Sequence, residues 1–188
     1  MTVSSGQNYL AIPGPSVIPE EVLRSMHRAA PNIYEGDLIE TTESLIPDLN
    51  YVAQSSGNVA IYIANGHGIW EAALSNIVTA NDHILVVATG RFAHGWADMA
   101  RKIGVNVDIL DFGRNRALDV EVLAKKLKSE AKTKYKAILM THVDTSTSIK
   151  NDISSIKKKL EEIDCSALLA VDCIASLACD KFEMDEWG

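Results

Sequence analysis

Two short stretches carry residue types that could hold and polarise a small anionic ligand. Asn65-Gly66-His67-Gly68 joins an apolar run, Val59 to Ala64, to a helix-like stretch, Gly68 to Val78. Glycines let a backbone approach a ligand closely, and a helix start offers unpaired N–H groups and a positive dipole end. The tetrapeptide reads as a cradle for a phosphate or another anion. On local sequence alone it reads equally well as an ordinary strand-to-helix turn. The second stretch is Leu168-Leu169-Ala170-Val171-Asp172, an apolar strand that ends in an acid. A carboxylate in that place is costly unless a cation or an N–H group faces it. Asp172 is either a structural acid that caps a neighbouring loop or an acid that faces a protonated heterocycle.

Other chemistries lack their residues. A dinucleotide site needs G-x-G-x-x-G and an acid for the ribose on the next strand. Here Gly66-His67-Gly68 is followed by Ile69-Trp70-Glu71, and the next strand closes on Val87-Ala88-Thr89. A Walker A loop is missing too. His67, His83, His94 and His142 show neither HExxH nor zinc spacing with cysteine, so no metal is expected. His83 opens a strand and reads as structural; His94 lies on a helix and reads as partly exposed. A G-x-S-x-G elbow for Ser/His/Asp hydrolysis is also missing.

The elements that must position these residues alternate. Pro19-Glu20-Glu21 opens a helix with Val22, Leu23, Met26 and Ala30 on one face, ended by Pro31. A second helix is expected over Leu38 to Gln54, kinked or split by Pro47. Strands are expected at Val59–Ala64, His83–Ala88, Val105–Leu110, Lys136–Thr141 and Ala167–Asp172. Between them fall helices at Gly68–Val78, Arg91–Ile103 with Gly104 as its stop, Asp119 to about Lys132, and Asp152–Ile163. Short links and strict alternation imply a mainly parallel sheet covered on both faces. Ligands of such sheets bind beyond the strands' carboxyl ends. The loops there are Asn65-Gly66-His67-Gly68, Thr89-Gly90-Arg91-Phe92, His142-Val143-Asp144-Thr145-Ser146 and Asp172.

With 188 residues and 47% hydrophobic content, the chain can build one real core. A formal net charge of -7 argues against phosphate-backbone binding, so no nucleic-acid partner is expected. Lys157-Lys158-Lys159 runs straight into Glu161-Glu162 and reads as a solvated helix face. No apolar stretch reaches the roughly 18 residues of a membrane span, so no membrane partner is expected. The polar start, Met1 to Tyr9, lacks the pattern of a signal peptide. Cys165, Cys173 and Cys179 have no CxxC spacing, which fits a reduced, cytoplasmic location.

Four segments, in order, carry a family resemblance. Ala64-Asn65-Gly66-His67-Gly68-Ile69-Trp70-Glu71-Ala72-Ala73-Leu74 resembles the phosphate loop of alanine–glyoxylate and serine–glyoxylate aminotransferases, which are class V enzymes dependent on pyridoxal 5'-phosphate (PLP). Pro13-Gly14-Pro15-Ser16 resembles their N-terminal active-site segment. Thr141-His142-Val143-Asp144-Thr145-Ser146-Thr147 and Leu169-Ala170-Val171-Asp172-Cys173-Ile174-Ala175-Ser176-Leu177 resemble two more. The resemblance covers nearly the whole chain. It implies a three-layer α/β fold, the fold type I large domain. Residues 1–18 would be an N-terminal arm that reaches a partner subunit, and 19–188 the front of the large domain, without the C-terminal small domain.

The resemblance also implies roles. Asn65, Gly66 and His67 would meet the PLP phosphate and ring. Phe92 would stack on the ring where the family often has tryptophan, and Ile174 would cover the opposite face. Thr145 would hydrogen-bond near the ring hydroxyl, Asp172 would pair with the pyridinium nitrogen, and Gly14 would meet substrate. The substrates would be a small amino acid and a 2-oxo acid, in a homodimer. The family's Schiff-base lysine follows on the next strand end. Lys181 is the only lysine after Asp172 and its spacing does not match. The chain alone is therefore expected to be inactive, with an exposed sheet edge. The alternatives are a non-catalytic remnant or assembly partner, and a cysteine desulfurase-like enzyme of the same class.

Overall fold

The computed structural model describes residues 10–129 and 134–188. The chain divides into two units, Met1–Pro47 and Asp48–Gly188. In the first, α1 spans Glu20–Met26, with Pro19 as its N-cap and Glu20 and Glu21 in its first turn. It stops short of the expected Pro31: the His27 N–H bonds back to Leu23 and Arg24 carbonyls, and the chain leaves helical geometry there. Val22, Leu23 and Met26 are exposed. A helix this short gains nothing from burial here that would extend it.

Helix α2, Asp37–Ala53, runs into the second unit through Pro47 as one span rather than two pieces. Pro47 removes one intrahelical hydrogen bond, and helical geometry continues on both sides of it.

The strand expected over Val59–Ala64 does not form: the segment is irregular, with Ile61, Tyr62 and Ile63 exposed. A strand exists only where a neighbour supplies the ladder. Among the described residues, no strand pairs with this segment.

Beyond it the second unit follows the expected alternation. It contains α3 (Gly66–Ile77), β1 (His83–Ala88), α4 (Arg91–Lys102), β2 (Asn106–Asp111), α5 (Val120–Ser129) and β3 (Tyr135–Thr141). It continues with β4 (Val143–Asp144), β5 (Ile149–Lys150), α6 (Ile153–Glu162), β6 (Leu168–Asp172) and α7 (Met184–Trp187). The expected end of α5 near Lys132 lies outside the described residues. The main sheet has the order β2-β1-β3-β6, all parallel, and β4 and β5 form a small antiparallel pair.

Both faces of the sheet are covered, as its near-continuous apolar strands require. On one face, Ile84, Val86, Ala88, Ala137 and Leu139 meet Trp70 and Leu74 of α3 and Ala93, Trp96, Ala97 and Ala100 of α4. On the other, Leu85, Val87, Ile138 and Met140 meet Leu123 of α5 and Ile153, Ile156 and Leu160 of α6. Helix ends follow their signals. Asp119 Oδ1 accepts from Glu121 N–H, Asp152 Oδ1 accepts from Ser155 N–H, and Gly104 closes α4 with φ of 85°.

One buried amide ties the strand ends together. Asn151 is 1% exposed. Its Oδ1 accepts from Leu118 N–H at 2.9 Å, and its Nδ2 donates to Thr89 Oγ1 at 3.0 Å and to the Thr141 carbonyl at 2.9 Å. Replacing it strands several buried partners at once. Asn151→Ala should destabilise the fold by about 2–4 kcal/mol, read as a lower urea midpoint with unchanged slope. A loss below about 0.5 kcal/mol would contradict the network's importance.

Candidate active site

The carboxyl ends of β1, β3 and β6 lie side by side, with Thr141 in register with Asp172. Each is followed by a polar loop. The segment Asn65–Gly68 reaches the same edge without a strand before it, because α3 packs on this face of the sheet.

Asn65 is the N-cap of α3: its Oδ1 accepts from Gly68 N–H at 3.1 Å. The first backbone bond of the helix is Ile69 N–H to the Asn65 carbonyl, at 3.2 Å. The N–H groups of Gly66 and His67 precede it and have no acceptor within the helix. Gly68 is required sterically, since a Cβ there would lie 2.6 Å from Ala64 Cβ. A Cβ on Gly66 would lie 4.0 Å from Ile174 Cγ1, which places the helix start beside the loop after β6.

Asp172 is half-buried at the end of β6, and both oxygens are engaged. Oδ1 accepts from Ile174 N–H at 2.9 Å, and Oδ2 accepts from the indole Nε1–H of Trp70 at 2.9 Å. The Trp70 ring is stacked on Trp96 with centroids 5.7 Å apart. His67 and Phe92 meet Trp70 edge-on, at 4.6 and 6.3 Å. A cavity of about 490 Å³ opens here, lined by Gly66, Trp70, Trp96, Asp172 and Ile174 among others. The indole N–H of Trp96 is buried with no acceptor among the described residues. Nor does any group of three or more His, Cys, Asp or Glu among them form a metal site.

Phe92 and Thr145 belong to neighbouring loops joined by one buried carboxylate. Asp144 is fully buried. Its Oδ2 accepts from Phe92 N–H at 3.0 Å, and its Oδ1 accepts from the N–H and hydroxyl of Ser146. The Ser146 hydroxyl in turn accepts from Arg91 N–H at 2.9 Å. The start of α4 is thus capped from another loop, since its own N-cap is Gly90. A Cβ on Gly90 would lie 2.3 Å from Asp144 Cγ, so no other residue allows this approach.

Of the residues singled out in the sequence, the structure brings Gly66, Asp172 and Ile174 onto one cavity. Asn65 shapes the start of α3 beside it. His67 and Phe92 touch Trp70 in its wall, and Thr145 follows Asp144 in the adjoining turn. Gly14 lies in the first unit. Sequence reasoning missed Trp70 as a partner of Asp172, although Trp70 lies four residues beyond Gly66 on the helix.

The residues present suit a phosphorylated aromatic heterocycle. They offer N–H groups at a helix start, a carboxylate on the same cavity, an apolar side chain beside it and a buried N–H lacking an acceptor among the described residues. The main sheet and its covering helices overlay on an alanine–glyoxylate aminotransferase from Nostoc sp. with a TM-score of 0.88 at 23% identity, over 100% of this chain and 49% of that one. The fold is therefore that of the PLP-dependent aminotransferases.

The sequence goes further. The class-V aminotransferase family model matches residues 9–188, and the chain belongs to that family. It is 33% identical over 184 residues to a serine–glyoxylate aminotransferase of Arabidopsis thaliana. It is 32% identical over 183 residues to a serine–glyoxylate aminotransferase of Methylorubrum extorquens. Each alignment covers 97% of this chain and 46% of the relative, so the chain spans about half the length of the curated relatives it matches.

Next to the cavity, His142 Nδ1 and Ser176 Oγ share a buried hydrogen bond of 2.9 Å, under Phe182 and Trp187. Burial holds the His142 imidazole below its ordinary pKa of 6.5, so it is kept neutral. Below 6.5 the unfolded chain takes up a proton that the folded chain refuses, and stability falls with pH until the lowered value is reached. The carboxyl groups of Asp82, Asp152, Asp180 and Asp185 act lower, beneath their ordinary 3.8, so the two windows separate. The urea midpoint should therefore fall between pH 7.5 and 5, and His142→Gln should flatten that slope. An equal slope in the variant would remove His142 as its source.

Proposed function

We propose that this chain contributes the cofactor-holding part of a PLP-dependent aminotransferase, one that moves an amino group from a small amino acid to glyoxylate. The observation that carries it is the single cavity bounded by the start of α3 at Gly66, the Asp172 carboxylate and Ile174. The names of the relatives support the glyoxylate side: serine–, L-aspartate– and alanine–glyoxylate aminotransferases all match along most of this chain.

When bound, PLP supplies a ring that accepts electrons as an amino acid loses its α-proton. The rest falls to the protein. The N–H groups of Gly66 and His67, with Asn65 fixing the turn, hold the phosphate against the positive end of α3. Asp172 holds a proton on the ring nitrogen, and Ile174 and Phe92 cover the ring faces. Thr145 donates near the ring hydroxyl. The carbonyl-trapping lysine of the family is not Lys181 in this reading. The Lys181 ammonium pairs with Glu183 at 2.6 Å, and that contact raises its pKa, which keeps the amine protonated and poorly nucleophilic. Burial, and then the Asp172 charge, push the Cys173 thiol pKa up, which disfavours the thiolate a desulfurase nucleophile needs. Homodimer formation and a cytoplasmic location complete the proposal.

The test is PLP binding to the purified chain, followed by equilibrium dialysis and absorbance. Binding should be reversible, and borohydride reduction should leave Lys181 unlabelled. Asp172→Asn should weaken binding at least about tenfold, the cost of one hydrogen bond to a charged group. In a full-length enzyme it should abolish transamination. Unchanged affinity would take Asp172 out of the site, and a labelled Lys181 would overturn the assignment of the lysine.

A further inference from the structure

The Trp70 indole sits where it can set the direction of the Asp172 carboxylate. A carboxyl group at a strand end can rotate about its Cβ–Cγ bond, and each oxygen has two acceptor sites. Here the Ile174 N–H takes one site on Oδ1, and the Trp70 N–H takes one on Oδ2. Two donors on different oxygens fix the carboxylate plane and still leave a lone pair on each oxygen.

The indole cannot easily turn away. It stacks on Trp96 at 5.7 Å with planes 12° apart, and His67 and Phe92 press its edges. Trp70 is 4% exposed, and among the described residues Asp172 is the acceptor of its N–H. His67 comes from the start of α3 and Phe92 from that of α4. The indole therefore ties the loop at the start of α3 to the acid at the end of β6.

Resting on the PLP reading above, we infer that Trp70 is a positioning residue: its N–H aims the free lone pair of Asp172 at the ring nitrogen of the cofactor. Phenylalanine at this place deletes the donor and keeps an aromatic ring, though a smaller one; the packing loss is common to the wild-type and Asp172→Asn backgrounds. Trp70→Phe should weaken PLP binding on the order of tenfold, comparable with losing a partner that orients a ligand-holding side chain. The same change made in Asp172→Asn should add almost nothing, because the two residues act as one unit. A role in packing alone would give equal losses in both backgrounds and would overturn the inference.

A second measurement needs no ligand and no variant at Trp70. The three tryptophans, Trp70, Trp96 and Trp187, give three indole N–H signals in an ¹⁵N-labelled chain. One of them should move on Asp172→Asn and resist exchange with solvent in the wild type. If none moves, the hydrogen bond is not present in solution and the inference fails. If one moves but the wild-type chain takes up no PLP, the cofactor reading fails, and this inference with it. If PLP binds and Trp70→Phe leaves its affinity unchanged, this inference alone fails.

Discussion

The buried carboxylate of Asp144 joins two loops that no strand ladder connects. It accepts from the backbone of Phe92 at the start of α4 and from Ser146 in its own turn. Without it, the Phe92 N–H in the first turn of α4 would lose its acceptor, and the turn between β4 and β5 would lose the acceptor of its Ser146 N–H and hydroxyl. The positions of Phe92 and Thr145 both depend on this contact. Gly90 follows from it, since the approach leaves no space for a side chain. The Asn151 amide does similar work one layer below, between the ends of β1 and β3. Together they make the carboxyl edge of the sheet a rigid platform.

Asp144 and Asp172 look alike in sequence, since each is an acid just past an apolar strand. Their surroundings separate them. Asp144 is sealed from any cavity and holds three donors from its own and a neighbouring loop. Asp172 opens on a cavity, and each of its oxygens has one donor from within the chain. The first can only hold structure. The second has acceptor capacity left for something else, which is what a ligand-facing acid requires.

Much of this edge was legible in the sequence because strands and helices signal locally. Strand β1 has the limits its apolar run suggests, and the Asp152 and Asp119 caps sit where residue type placed them. Val59–Ala64 misled because an apolar run states a preference, while a strand needs a neighbour that the run itself cannot name. Strands β4 and β5 have two residues each, too few to show a period. Helix α7 is held by tertiary contacts: Trp187 meets Phe182 and His142, and Asp185 accepts from Ser55 and Ser56. The bond from Trp70 to Asp172 spans 102 positions, and no local pattern could announce it.

The cavity lining holds two groups of opposite electrostatic preference, and both bear on what can enter. At the start of α3 the N–H groups and the helix dipole favour negative charge. At the end of β6 a carboxylate favours positive charge or a hydrogen-bond donor. A molecule that fits both must be anionic at one end and carry an N–H or a cation at the other. A phosphate placed against Asp172 would meet like charge, which is unfavourable. The apolar wall of Trp70, Trp96 and Ile174 suits a flat ring. A phosphorylated pyridine with a protonated nitrogen meets all three demands. A free phosphate would use one group alone, and an aromatic amine the other. The polarity of the site, more than any one contact in it, is why the PLP reading outranks a simple anion-binding turn.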